Sequence, residues 1–373
     1  MKIGIIQNVT LNDHRSVYSH NIACELIKKG FDVDLILQET GEKLQYKNKP
    51  YNLIQIPGKT YSIMGQIQFM TSSFTVIKKG GYDIIHAKNP FSSVFSAVIL
   101  KKTGAITSKI VYDMRGLWID FGVESHQIPS FFGPVLRKIE KFLLKRCDHI
   151  IAISPTLKEL LCTRGYQEDE ISVVFGDGVD IETIESVTPA KRDRDMRIGY
   201  IGTISTARQS DKIIKAFKSI EMKDIHLVMV GPVREPHIFE KLTAGSKNIV
   251  LTGFLPQEEA FQYLKSFDVV LSYHDTDHPV YNVAVPTKVF EYMAAGIPIV
   301  ATDHQMYRNI LEDKKTALLS RQNPEDFAEN LVYLLKNPDI AEKIAANAKS
   351  EVEKYSVRNV VDQLESVYLR LLE

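Results

Sequence analysis

The chain has 373 residues, of which 44% are hydrophobic and 25% charged, too apolar for a disordered chain and too long for one ordinary core, so two domains are expected. Its 46 lysines and arginines equal its 46 aspartates and glutamates, so no global field draws it to nucleic acid or anionic lipid and any charged partner must be met locally. Cys24, Cys147 and Cys162 are odd in number and widely spaced, which excludes a disulfide framework and a zinc pattern and reads as reduced thiols in a reducing compartment.

The first predicted strand, residues 3–7, follows Met1 and a single lysine, and its apolar run is much too short for a signal peptide or a membrane span. A cytoplasmic chain is therefore expected. Further strands are predicted at 33–37, 83–87, 110–113, 149–153 and 172–175. These short β-branched runs alternate with longer amphipathic stretches, as parallel strands joined by crossover helices do. The turn at 8–16 carries Asp13, His14 and Arg15, a polar loop suited to an acceptor or a phosphate.

His86 and Lys88 end the strand at 83–87, on the edge where open parallel sheets bind ligands. The plain alternatives are a satisfied core histidine and a solvated lysine. Asp113 and Arg115, two apart on a strand, face the same side; they either pair as a structural salt bridge or take part in catalysis. Residues 132–146, from Phe132 onward, set Arg137, Lys138, Lys141, Lys145 and Arg146 around Val135, Leu136, Ile139, Phe142 and Leu143. The commoner meaning of such a basic amphipathic helix is ordinary docking with a solvated basic face; the other is peripheral contact with an anionic membrane at its inner face.

Residues 184–196 mix Pro189 with Lys191, Arg192, Asp193, Arg194 and Asp195 and have no apolar period, so they are expected to be an interdomain linker. The strand–helix alternation then restarts at 197–201 and continues at 225–230, 249–251, 269–272, 299–301 and 317–319. The expected boundaries are 1–183 and 197–356, with a final amphipathic helix at 357–373 packing back on the first domain.

In the second domain, Gly199-Tyr200-Ile201-Gly202-Thr203 is a glycine turn after the opening strand, a weak signal alone. Arg208 follows Gly202 by six residues, where a guanidinium clamps a diphosphate or simply meets solvent. Residues 285–298 read as a helix beginning at Pro286 and stopped by Gly296 and Pro298. The first-turn amides of Thr287 and Lys288 lack helical partners and sit at the positive dipole end, a ready phosphate site to which Lys288 adds a full charge. Glu291, four residues after Thr287, shares its face one turn deeper, an offset that suits a ribose diol.

Tyr273-His274-Asp275-Thr276-Asp277-His278 offers oxygen and nitrogen groups to a metal, but sugar hydroxyls are the better partners for a loop at that edge, and no metal is expected.

Together these segments resemble the retaining glycosyltransferases of sequence family four, which have the two-domain GT-B fold. The resemblance rests on 152–154 before a helix, Phe175-Gly176-Asp177-Gly178-Val179-Asp180, Gly199 to Gly202 with Arg208, 228–231, Leu251-Thr252-Gly253 and Phe290 to Gly296, in that order and spacing. It implies two Rossmann-like doubly wound parallel-sheet domains facing each other across a cleft, with the acceptor on the first and the nucleotide sugar on the second. It also implies donor contacts from Gly202, Thr203, Arg208, Gly231, Phe254, Pro286, Thr287, Lys288 and Glu291. Acceptor contacts are implied for His14, Arg15, His86 and Lys88, and catalytic roles for Asp113, Arg115 and Arg208.

Three departures stand out. Thr203 replaces the first member of the usual basic pair, Val283 replaces a second glutamate, and Arg115 takes a histidine slot, as in a sub-branch with an Asp-x-Arg-Gly/Asp-Leu-Trp signature. The reaction implied is metal-independent transfer of a hexosyl or hexosaminyl group from a UDP- or GDP-sugar, with retention, to a glycan, lipid-linked or small-molecule acceptor in cell-surface polysaccharide or glycoconjugate synthesis. The competing readings are a nucleotide-sugar epimerase of the same architecture and a catalytically silent homologue serving as a partner subunit.

Overall fold

The computed structural model describes residues 1–41, 49–59, 62–192, 195–274 and 282–373. Two compact units result. The first comprises Met1–Gly178, Val283–Val285 and Val357–Glu373, and the second Val179–Asn282 and Pro286–Ser356.

Seven strands form the sheet of the first unit: β1 (Lys2–Thr10), β2 (Asp32–Gln38), β3 (Asn52–Ile56), β4 (Ile84–Lys88), β5 (Lys109–Met114), β6 (His149–Ala152) and β7 (Ile171–Val173). All pairs are parallel, in the order β3-β2-β1-β4-β5-β6-β7. Helices cover both faces, which is why β1, β4 and β5 are buried almost end to end. β3 was not anticipated: it is a half-exposed edge strand whose Asn52 and Gln55 dilute the apolar signal. On one face Ile3, Leu35, Val111 and Ile151 pack with Val360, Leu364 and Tyr368 of the helix Val357–Leu372. The C-terminal helix thus belongs to the first unit, and each such side chain contributes roughly 1.5–3 kcal/mol by burial.

The second sheet has β8 (Met196–Ile201), β9 (Ile225–Val230), β10 (Ile249–Leu251), β11 (Val269–Ser272), β12 (Ile299–Thr302) and β13 (Leu318–Ser320), again parallel, in the order β10-β9-β8-β11-β12-β13. Chain order reverses on either side of β8, so the switch point lies between β8 and β11. Ligands of open α/β sheets bind at such a point, beyond the strand C-termini.

The expected boundary needs correction. The chain divides at Gly178/Val179 rather than at 183, and residues 184–192 are no loose linker. Asp180 caps the helix Ile181–Ser186, Ile184 is fully buried, the Ala190 amide donates to the Gln262 carbonyl (2.8 Å), and Arg192 pairs with Asp268 (2.8 Å). The charged composition that suggested a linker instead ties this segment to the second unit; Asp193 and Arg194 lie outside the described residues.

Candidate functional site

In the second unit the chain leaves β8 through Gly202, whose φ of +141° lies in the region that favours glycine. Gly231, after β9, has a φ of +143° and lies so close that a Cβ there would meet the Gly202 carbonyl oxygen at 2.1 Å. Two tyrosines fix this turn: the Tyr200 hydroxyl donates to the Thr203 carbonyl (3.0 Å), and the Ile201 amide donates to the Tyr292 hydroxyl (2.9 Å).

The helix Thr287–Ala295 starts beside it. Pro286 is its N-cap residue rather than its first helical one, and it makes no side-chain cap. Gly296 ends the helix in the left-handed conformation, as its position in the sequence suggested. Lys288 reaches back over the glycine turn. Its Nζ lies 4.1 Å from the Tyr200 ring centroid and 3.0 Å from where a Cβ on Gly202 would sit. Among the described residues no carboxylate stands within salt-bridge distance of it.

Glu291 is half-buried, and burial pushes its carboxyl up to about 7 against the opposing charge of Lys288. Arg208 ends the short turn Thr206–Arg208, held by its amide on Ser205 Oγ (3.2 Å), and is exposed. Tyr307, paired with Ser272 Oγ at the end of β11 (2.5 Å), has its phenol pushed up by burial and drawn back by Ser272 and by the charge of Arg208. Arg208 and Lys288 therefore both bear on the β8/β11 switch. Phe254, 65% exposed, follows Gly253, which pairs with Gly231.

The corresponding region of the first unit is a buried cluster of opposed charges. Asp113 accepts from His86 Nε2 (3.0 Å), and Arg115 Nε lies 2.7 Å from its other oxygen as an ion pair. A carboxylate only accepts, so in the neutral ring His86 carries its proton on Nε2 and Nδ1 receives the Tyr368 hydroxyl (2.7 Å). Burial raises the Asp113 carboxyl while the His86 hydrogen bond opposes the rise. Arg115 also donates to the carbonyls of Gly176 (2.6 Å) and Val174 (3.3 Å). The Tyr18 ring is flanked by Arg115 (4.0 Å) and by Lys88 Nζ (4.1 Å), and burial lowers the Lys88 ammonium. Lys88 donates in turn to the Arg15 carbonyl (3.3 Å).

The sequence profile described as Glycosyl transferases group 1 matches residues 182–351, and that of Glycosyltransferase Family 4 matches residues 16–183. The chain belongs to the family four glycosyltransferases. It is 22% identical to the alpha-monoglucosyldiacylglycerol synthase of Acholeplasma laidlawii, over all of this chain and 98% of that protein. It is 21% identical to the capsular polysaccharide biosynthesis glycosyltransferase CapM of Staphylococcus aureus, over 93% and 92% of the two. HepE of Anabaena, solved in complex with UDP and glucose, has the same fold, with a TM-score of 0.77 at 15% identity over 98% of this chain and 99% of that one. The tandem Rossmann-like architecture of the GT-B class is thus the family's.

Measured against the family's pattern, the two units fare differently. Arg208, Lys288, Thr287, Glu291, Gly202 and Gly231 lie at or border one switch point, and Thr203 contributes its carbonyl to that turn. In the first unit the expected accessible edge is largely interior. His86, Lys88 and Asp113 are buried and Arg115 is 6% exposed: Asp113 and Arg115 form the ion pair and His86 the satisfied core histidine of the plainer readings, whereas Lys88 is not the solvated lysine of its plainer reading. Arg115 also falls just past β5, not within it. The turn expected at 8–16 is shorter, because β1 runs to Thr10 and Ser16 Oγ ties the loop to the Leu11 and Asp13 carbonyls. Arg15 pairs with Asp13 (2.8 Å), and the side chain of His14 lies outside the described residues.

Val283 is buried, its carbonyl accepting from Ser154 Oγ (3.0 Å). Of the metal reading, Asp275, Thr276, Asp277 and His278 lie outside the described residues; among those described, no cluster of three histidines, cysteines or carboxylates can hold an ion. Sequence reasoning missed Tyr200, Tyr292, Tyr307 and Tyr368. Tyr200 and Tyr292 stood within their motifs, but which group each hydroxyl fixes depends on packing.

Proposed function

We propose that this glycosyltransferase moves a hexosyl-type group from a UDP- or GDP-sugar to a hydroxyl of a glycan, lipid-linked or small-molecule acceptor, with retention of configuration and without a divalent ion. The observation that carries this reading is Lys288 poised over the Gly202 turn at the β8/β11 switch, beside a helix terminus and without a carboxylate partner among the described residues. A diphosphate placed there takes the amides of Thr287 and Lys288, the Lys288 ammonium and the Arg208 guanidinium; Glu291, one turn deeper, takes the ribose diol.

As the glycosidic bond breaks, positive charge develops on the sugar ring and negative charge on the leaving diphosphate. The fixed cations and dipoles favour that separation without reorganising, and two cations stand in for the metal that other sugar transferases use. Thr203, lacking charge, leaves Lys288 to replace the usual first basic residue. Retention fits same-face attack assisted by the leaving phosphate, because no pair of carboxylates disposed for double displacement is present among the described residues around this site. On the acceptor side, Arg15, partly exposed at 30%, is the contact that remains of those expected whose side chain is described.

The test is incubation of the purified chain with a panel of UDP- and GDP-sugars and lipid or glycan acceptors, with and without EDTA, following nucleotide release and the anomer of the product by NMR. Transfer with retention, unchanged by EDTA, is expected. Epimerisation of the donor alone, or binding with no turnover on any acceptor, contradicts it.

A further inference from the structure

Amphipathic helices on a sheet normally turn their apolar stripe inward. The helix Gly133–Leu144 turns much of its stripe outward. Phe131 (71% exposed), Val135 (53%) and Phe142 (45%), with Phe132 and Ile139, recur at three- and four-residue spacing and form one exposed line. Inward face Gly133, Leu143, Leu144 and, at 6% exposure, Glu140. One Glu140 oxygen has no hydrogen-bond partner, and burial pushes the carboxyl up to about 7. The helix thus docks and solvates its basic face, as the commoner expectation from sequence has it, but leaves much of its apolar stripe outside that contact.

Between residues 130 and 147 Glu140 is the sole acid, against Arg137, Lys138, Lys141, Lys145 and Arg146. Arg137 is committed to Asp120 (3.0 Å) and Lys141 to the Arg164 carbonyl. Lys138 and Lys145 are exposed with no acidic partner among the described residues, and the Arg146 guanidinium lies 3.6 Å over the Phe142 ring, joining the charged rim to the apolar line. A contiguous apolar strip with a cationic rim marks an interaction surface. A second copy would bring like charges face to face, and nucleic acid would leave the aliphatic and phenyl groups unused. A surface with acyl chains beneath anionic headgroups satisfies both features. The helix Ile63–Gly80 is joined to this layer through the helix Ser92–Lys102, and it too exposes Ile63, Met64 and Ile67 in its first turns.

We propose that this face of the first unit docks peripherally on an anionic lipid bilayer, with Phe131, Phe132, Val135, Ile139 and Phe142 entering the headgroup–acyl boundary and Lys138, Lys145 and Arg146 lying at phosphate level. Docking needs no donor and no turnover, so it stands apart from the transfer reading. The test is co-sedimentation of the full chain with vesicles of phosphatidylcholine alone or mixed with phosphatidylglycerol. Binding to the mixed vesicles alone is expected, weakening with salt. K138Q with K145Q should lower partitioning roughly thirtyfold, and F131S with F142S about tenfold or more. Calorimetric UDP binding by the second unit should be unchanged in both variants, which shows that they fold and separates this outcome from failure of the donor site. Equal binding to both vesicle types, binding to neither, or a concentration-dependent dimer that F142S abolishes would each overturn the proposal.

Discussion

The two units share one architecture and use charge in opposite ways. In the first, Asp113 pairs with Arg115 and with His86, and His86 in turn with Tyr368, in the interior, joining β4, β5 and the C-terminal helix. In the second, Lys288 stands at the equivalent strand edge facing an aromatic ring and a glycine turn instead of an acid. Opposed charges in the interior serve the fold, whereas a cation at a switch point with no carboxylate within salt-bridge distance among the described residues is available to a ligand.

The contrast breaks most visibly at Asp113. Asp113→Ala leaves Arg115 buried without its counter-ion and His86 without its acceptor, and a loss of about 3–5 kcal/mol is expected in urea unfolding. UDP affinity of the protein that still folds should be unchanged. Wild-type stability with lost turnover would move Asp113 from structure to catalysis. Lys288→Ala and Arg208→Ala should do the converse. Turnover falls roughly a hundredfold or more, while stability stays within about 0.5 kcal/mol of the parent, read from steady-state kinetics beside thermal melts.

Glu140 sharpens the comparison through pH. Its folded pKa of about 7 lies above the ordinary value of 4.5, so between those values the unfolded chain has released a proton that the folded chain retains. Stability is then fullest below pH 4.5 and declines as pH rises through about 7, by up to roughly 3 kcal/mol from this group. Glu140→Gln should remove that decline from the stability–pH curve. The smallest effect is expected at Glu291: Glu291→Ala should weaken donor binding about tenfold by calorimetry, in line with one hydrogen bond to a charged group, without lowering the melting temperature.

Strand–helix alternation made both sheets legible apart from β3, and explicit helix ends at Pro286 and Gly296 located the helix Thr287–Ala295 to within a residue. Period and punctuation are local, so sequence carries them. What it did not carry was orientation. Asp113 and Arg115 look alike as an exposed catalytic pair or a buried bridge until β4 and the C-terminal helix close over them. The stripe of Val135, Ile139 and Phe142 has the same spacing facing inward or outward. The charged run after Ser186 looked like a linker because its partners, Gln262 and Asp268, lie far along the chain.

Whether the β8/β11 edge of the second unit grips a nucleotide diphosphate is tested most directly by titration calorimetry of UDP and GDP into the parent, Lys288→Ala and Asp113→Asn. Binding of one nucleotide by the parent, weakened at least about tenfold in Lys288→Ala and retained in Asp113→Asn, is the predicted result. Equal binding by the parent and Lys288→Ala, or binding lost only in Asp113→Asn, would contradict it.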